Sequence, residues 1–192
     1  MKKIFFLLSA GVMIISACNS NSKKTDEPSR TDSLGVPDNS NKAGINDVDR
    51  DFAAKVSMAN MAEAEHGATA QRRGNDADVK RFGKMMEDDH TAAQNELRGI
   101  ANRHQLKVPD MLDSAHKAHS QMMNGLKGAA FDQHYIKMMV EDHRTAISLF
   151  ENEIANGGHQ DVKDYATSIL PKLRMHLQKA DSIAQKLKIT VP

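Results

Sequence analysis

The sequence predicts an all-α fold, a bundle of four long helices with a long middle connection. Three observations carry that expectation. The residue mix favours helix over sheet: among 192 residues there is no Trp, aromatics make up 4%, and Met numbers 12. Four stretches repeat apolar residues at the helical period. The breaks between them, marked by Gly, Asn and Pro, run short, long, short.

The first residues stand apart from that pattern. Lys2 and Lys3 precede an apolar run from Ile4 to Ile15, then Ile15-Ser16-Ala17-Cys18. A positive flank, an apolar stretch and small residues before a cleavage point make a signal peptide over residues 1–17. A dozen residues rise about 18 Å as a helix, short of the ~30 Å hydrocarbon core, so a permanent span is not expected. Ile-Ser-Ala-Cys resembles the lipobox of bacterial lipoproteins. The resemblance implies cleavage before Cys18 and acylation of that residue, which anchors the chain to a membrane. With Asn19 rather than Asp after the cysteine, the enterobacterial sorting rule points to the outer membrane, facing the periplasm. Cys18 is the only cysteine, so the mature domain has no internal disulfide. Residues 18–45 are otherwise polar and rich in Ser, Asn, Lys and Pro; such a segment buries too little to offset its ordering entropy and reads as a tether.

The remaining residues, 46–190, suffice for one domain with a core. The first helix is expected from Asp47 to Arg73, with Phe52, Val56, Ala59, Glu63 and Ala70 on one stripe. Gly74-Asn75 ends it, and Asp76 can cap the next. The second runs to about His104 on Val79, Phe82, Met86, His90, Ala93, Leu97 and Ile100. Beyond Pro109, a shorter helix covers Met111 to Leu126. The third long helix runs from Ala129 to Ala155 on Tyr135, Met139, His143, Ile147 and Phe150, and Asn156-Gly157-Gly158 stops it. The fourth spans His159 to Leu187 on Val162, Ala166, Ile169, Leu173, His176, Ala180 and Ile183. Pro171 inside it removes one backbone bond and should kink it.

Two tight turns flanking a connection of about 25 residues suggest a ferritin-like four-helix bundle whose long crossover contains the short helix. In that topology the second and third long helices run parallel. An internal echo agrees: Lys84-Met85-Met86-Glu87-Asp88-Asp89-His90 is matched by Lys137-Met138-Met139-Val140-Glu141-Asp142-His143. His90 and His143 then stand at similar depth.

The candidate chemistry lies on those stripes. His90, His143 and His176 each interrupt an apolar stripe near mid-helix, and Glu63 does so on the first helix. A carboxylate on a core stripe is costly unless paired or coordinated. One Glu and three His suit a divalent transition metal; the alternative is a buried hydrogen-bonded network without metal. Zinc fits this donor set. Met86 and Met139, one turn before their histidines, would suit copper(I), though thioethers on a stripe also serve as core fillers. A di-iron site is disfavoured. It wants two Glu-x-x-His motifs; Glu87–His90 is one, but Val140 stands where the second Glu belongs. Asp89 and Asp142 adjoin their histidines and could orient a histidine of another helix as outer partners, or equally be solvated. The other six histidines, His66, His104, His116, His119, His134 and His159, read as stripe-edge, helix-end or loop residues. His116 and His119, three apart, could share a ligand or simply be solvated.

Lys and Arg total 26 against 25 Asp and Glu, and no basic face stands out, so nucleic-acid binding has no support. No Ser–His–Asp order, phosphate loop or nucleotide motif marks an enzyme. Two classes of function follow: an exported metal-binding lipoprotein, or a metal-free structural or interaction module of the cell envelope.

Several pieces in order resemble domain-of-unknown-function family 4142. They are Ala62-Glu63-Ala64-Glu65-His66-Gly67, Val79-Lys80-Arg81-Phe82-Gly83-Lys84-Met85-Met86, Asp89-His90-Thr91, Phe131-Asp132-Gln133-His134-Tyr135, Met139-Val140-Glu141-Asp142-His143 and Leu170-Pro171-Lys172-Leu173-Arg174-Met175-His176-Leu177. The resemblance covers Phe52 to Leu177 and implies a ferritin-like bundle in an exported protein, without an activity. His66 stands where that pattern leads one to expect an apolar residue.

Overall fold

Helix-forming stretches bounded by good capping residues become five helices in the computed structural model, which describes residues 44–191. They are α1 (Asp47–Arg73), α2 (Ala77–His104), α3 (Ser114–Gly125), α4 (Gly128–Asn156) and α5 (Gln160–Leu187). Among the described residues there is no strand, and no helix is long and apolar enough to cross a membrane. The expected signal peptide, Cys18 and nearly all of the tether lie outside the described residues.

The caps explain where the helices start. Asn46 and Asp49 form a reciprocal capping box at α1, each side chain accepting from the other's backbone N–H. Asp76 accepts from Asp78 N at α2, and His159 caps α5 through Asp161 N. The short helix begins three residues later than the sequence suggested. Asp113 caps it by accepting from His116 N, which leaves Met111 outside, 65% exposed. Helix α5 runs unbroken through Pro171. The proline is on the exposed face, where solvent can satisfy the carbonyl it leaves unbonded.

Two cross-braces set the directions of the long helices. Asp132, near the start of α4, accepts from Asn75 N at 2.8 Å and Asp76 N at 2.7 Å, at the start of α2. Those helices therefore begin at the same end and run parallel. At the opposite end Asp49 of α1 accepts from Gly158 N at 3.1 Å and His159 N at 3.0 Å, so α1 and α5 also begin together. Helix α1 packs against α2 and α4, and α5 against the same two. The parallel pairs are diagonals of the bundle, the arrangement that the long crossover through α3 makes possible.

Two glycines fix how closely α1 and α2 approach. A Cβ on Gly67 would lie 2.5 Å from the backbone O of Gly83 and 2.8 Å from the backbone N of Glu87. Only a residue without a side chain fits there.

The core is in two parts. One apolar cluster gathers Phe52, Val56, Leu97, Phe150, Tyr165 and Leu173. The other gathers Val79, Phe82, Met86, Phe131, Tyr135, Met139 and Ile183. Midway along every long helix, between the clusters, comes the polar level that holds the candidate site.

Candidate metal centre

The four stripe-breaking residues, one from each long helix, meet in the interior. Glu63 (α1), His90 (α2), His143 (α4) and His176 (α5) are 4%, 4%, 0% and 1% exposed. One ring nitrogen from each histidine lies within 4.8 Å of the other two. Glu63 Oε2 is 3.1 Å from His90 Nε2 and 3.5 Å from His143 Nε2. His143 Nε2 is 3.3 Å from His176 Nδ1.

The outward nitrogens decide which way the lone pairs point. His143 Nδ1 lies 2.9 Å from the backbone O of Met139, which can only accept, so Nδ1–H donates. His176 Nε2 lies 3.0 Å from Asp89 Oδ2, so Nε2–H donates there. His90 Nδ1 is 2.9 Å from Asn60 Oδ1. The Asn60 amide nitrogen donates to the Tyr165 hydroxyl at 3.3 Å, leaving its oxygen to accept from His90. With these nitrogens protonated, His90 Nε2, His143 Nε2 and His176 Nδ1 all turn a lone pair inward.

Electrostatics agree with that assignment. Burial, and then the charge of Asp142, hold the Glu63 carboxyl well above the ordinary carboxylate range. Burial, and then His143 and His176, hold His90 well below the usual histidine value. Burial brings His143 down to about 3. His176 is lowered by burial, against the opposing pull of Asp89. All three rings are therefore neutral at physiological pH. No proton is left to bridge His143 Nε2 and His176 Nδ1. Glu63 Oε2 and His90 Nε2, despite their short separation, form no hydrogen bond, and the buried Tyr135 hydroxyl also has no partner among the described residues.

Asp89 takes the place expected of an outer partner: it holds His176 from α2 and is itself held by Lys172 Nζ at 3.1 Å. Asp142 does not. It bonds no histidine among the described residues; it lines a cleft, where lost hydration and then the charge of Glu141 raise it to about 6. Glu87 turns to α1 and is hydrogen-bonded by Gln71, away from the site. Val140 is buried apolar core, and Met86 and Met139 belong to the apolar cluster beside Phe82 and Phe131. The centre is thus a three-imidazole, one-carboxylate set, which fits zinc and lacks the carboxylates of a di-iron site.

Sequence reasoning missed Asn60, which lies one turn before Glu63; an Asn beside the expected stripe was the available signal. His66, read as a stripe-edge residue, is buried, and half-buried His119 and His134 face each other at 3.0 Å between their Nε2 atoms. His116 stays at the surface, bonded to Asp113. At one end of the bundle His104 and His159 come together with Asp161, whose carboxylate is already bound by His104 Nε2 at 2.8 Å and by Arg103.

A cleft of about 360 Å³ reaches this level from the surface, lined among others by Glu63, His66, His90, His116, His119 and Asp142.

No curated protein and no solved structure was found to match this chain. A family model does match, over residues 34–183, and that span includes every residue of the buried centre. The chain belongs to the family described as Domain of unknown function (DUF4142).

Proposed function

We propose that this protein is an exported, membrane-anchored lipoprotein whose helical bundle binds a divalent transition metal, zinc by donor chemistry, through Glu63, His90, His143 and His176. One observation carries the metal reading: His143 Nε2 and His176 Nδ1 stand 3.3 Å apart with both of their other nitrogens occupied as donors. Two neutral imidazole lone pairs facing each other in a buried interior repel. A cation removes that repulsion and turns the same pair into ligands. Bonds of ~2.0–2.1 Å at a tetrahedral angle separate two ligand nitrogens by about 3.3 Å. The cation would also hold Glu63 ionised, reversing the effect of its burial. A hydrogen-bonded core without metal accounts for the Asn60, Met139 and Asp89 contacts, and a protonated Glu63 carboxyl supplies a proton for the Glu63–His90 contact, but it leaves the His143–His176 pair without one.

Anchoring rests on the lysine-flanked apolar run and Ile15-Ser16-Ala17-Cys18. The lipid on Cys18 would hold the bundle at the outer membrane, facing the periplasm, within reach of metal in that compartment. Metal analysis of untagged protein purified from its native envelope tests the reading. About one equivalent of zinc is expected, falling in His143→Ala; metal-free native protein that takes up none when offered zinc would contradict it.

A further inference from the structure

We propose that α3 is a pH-sensitive flap on the bundle, held against α4 by the His119–His134 contact and released when acid puts a proton on both rings. Helix α3 buries the fewest residues of the five helices, only Ser120 and Met123. Its 12 residues are about the length at which an isolated helix is marginal in water. It packs on α1 and α4, and two polar contacts tie it there. His119 Nε2 lies 3.0 Å from His134 Nε2 of α4, and Ser120 Oγ lies 3.3 Å from His66 Nε2 of α1. Elements with so little buried surface are the first to open locally.

The two contacts answer a proton differently. A serine hydroxyl donates to a neutral imidazole and accepts from a charged one, so Ser120 suits either state of His66. Two facing Nε2 atoms bond only while one of them keeps its lone pair, so that one ring donates and the other accepts. With both rings protonated, two N–H groups and two positive charges meet at 3.0 Å, and the contact turns repulsive. The titratable groups around the pair are His66 of α1, 5.3 Å from His119 between ring centres, and His116 of α3, which Asp113 binds. The charge of His116 also acts on Asp142 of α4. No carboxylate among the described residues acts on His119 or His66 to favour their charged forms. Burial, then His134 and His116, hold His119 below the usual histidine value. A histidine that binds its proton less tightly folded than unfolded contributes stability above the unfolded value, and that contribution is lost as pH falls below it. The loss falls on α3, which has little buried surface to resist it. His116 and His119 line the same cleft as Glu63 and His90, so the flap forms one wall of that cleft.

The test is amide hydrogen exchange on the untagged full-length chain in detergent, at about pH 7.5 and about pH 5, with rates corrected for the intrinsic effect of pH. Protection of the amides of residues 120–123 should fall at least about tenfold at the lower pH, while mid-helix amides of α2 keep theirs. The fall should persist in His143→Ala, where the inner set is broken. It should vanish in His134→Gln, whose neutral amide goes on bonding His119 in either state. Equal α3 protection at both pH values overturns the proposal, as does an α3 left unprotected at both. So does a fall that survives in His134→Gln or disappears in His143→Ala.

Discussion

At the scale of single residues, the site is set less by its four inner groups than by the atoms behind them. Asp89 fixes His176, the backbone O of Met139 fixes His143, and Asn60 fixes His90, each leaving the lone pair pointed inward. Such outer partners typically carry 10–100-fold in metal affinity. Asp89→Asn should therefore keep the fold, with an unchanged circular dichroism spectrum, and weaken zinc binding by roughly that factor in a competition titration. Equal affinity would mean that Asp89 does not position His176. The four inner residues were legible in the sequence because polar groups on apolar stripes are costly. Asn60 was not, since an Asn at a stripe edge also reads as a solvated residue. Nor was His66, because helical period alone does not show what α3 covers.

At the scale of elements, the register between α1 and α2 brings Glu63 to His90, and Gly67 and Gly83 set it. A Cβ on Gly67 meets backbone atoms that have no rotamer to change. Gly67→Ala should push the helices apart, cost about 1–3 kcal/mol in denaturant unfolding, and weaken metal binding with it. A second element-level feature lies where α4 ends. The Glu153 carboxyl is fully buried and pushed up to about 8 by burial and by its hydrogen bond and charge interaction with Asp49. Burial would raise Asp49 too, but backbone donors from Asn46, His159 and Gly158, with Glu153, bring it below its usual value. The sign follows from linkage. Glu153 binds its proton more tightly folded than unfolded, so its contribution is most favourable below the ordinary Glu range and is lost as pH rises towards 8. Glu153→Gln, which keeps a donor for Asp49, should raise the thermal midpoint near pH 8 and leave it little changed near pH 4. A gain of the same size at both ends would show that Glu153 is ionised throughout. Helix bounds were readable because Asn46, Asp76 and the Gly157-Gly158 stop are local signals. The start of α3 was not: it was expected at Met111, and the helix begins at Ser114, where Asp113 accepts from His116 N.

For the whole molecule, one polar layer divides two apolar clusters, and a ligand there joins all four long helices. Free zinc at 100 times its dissociation constant would stabilise the native state by about 2.7 kcal/mol through mass action. The proposed membrane attachment rests on a different part of the chain, Cys18. Cys18→Ser should abolish lipid labelling and release the protein from membranes, while unchanged retention and labelling would remove the anchor. The crossover topology was readable from connection lengths, and the braces at Asp132 and Asp49 show the helix directions it requires. The cleft was not readable, because it depends on how α3 lies over α1 and α4. The central claim, a metal held between four helices, is tested most directly by anomalous diffraction at the zinc edge from crystals of zinc-loaded protein. The account predicts a peak about 2 Å from His90 Nε2, His143 Nε2 and His176 Nδ1, with Glu63 completing the shell. A folded, zinc-soaked protein with the four side chains in place and no peak between them would contradict it.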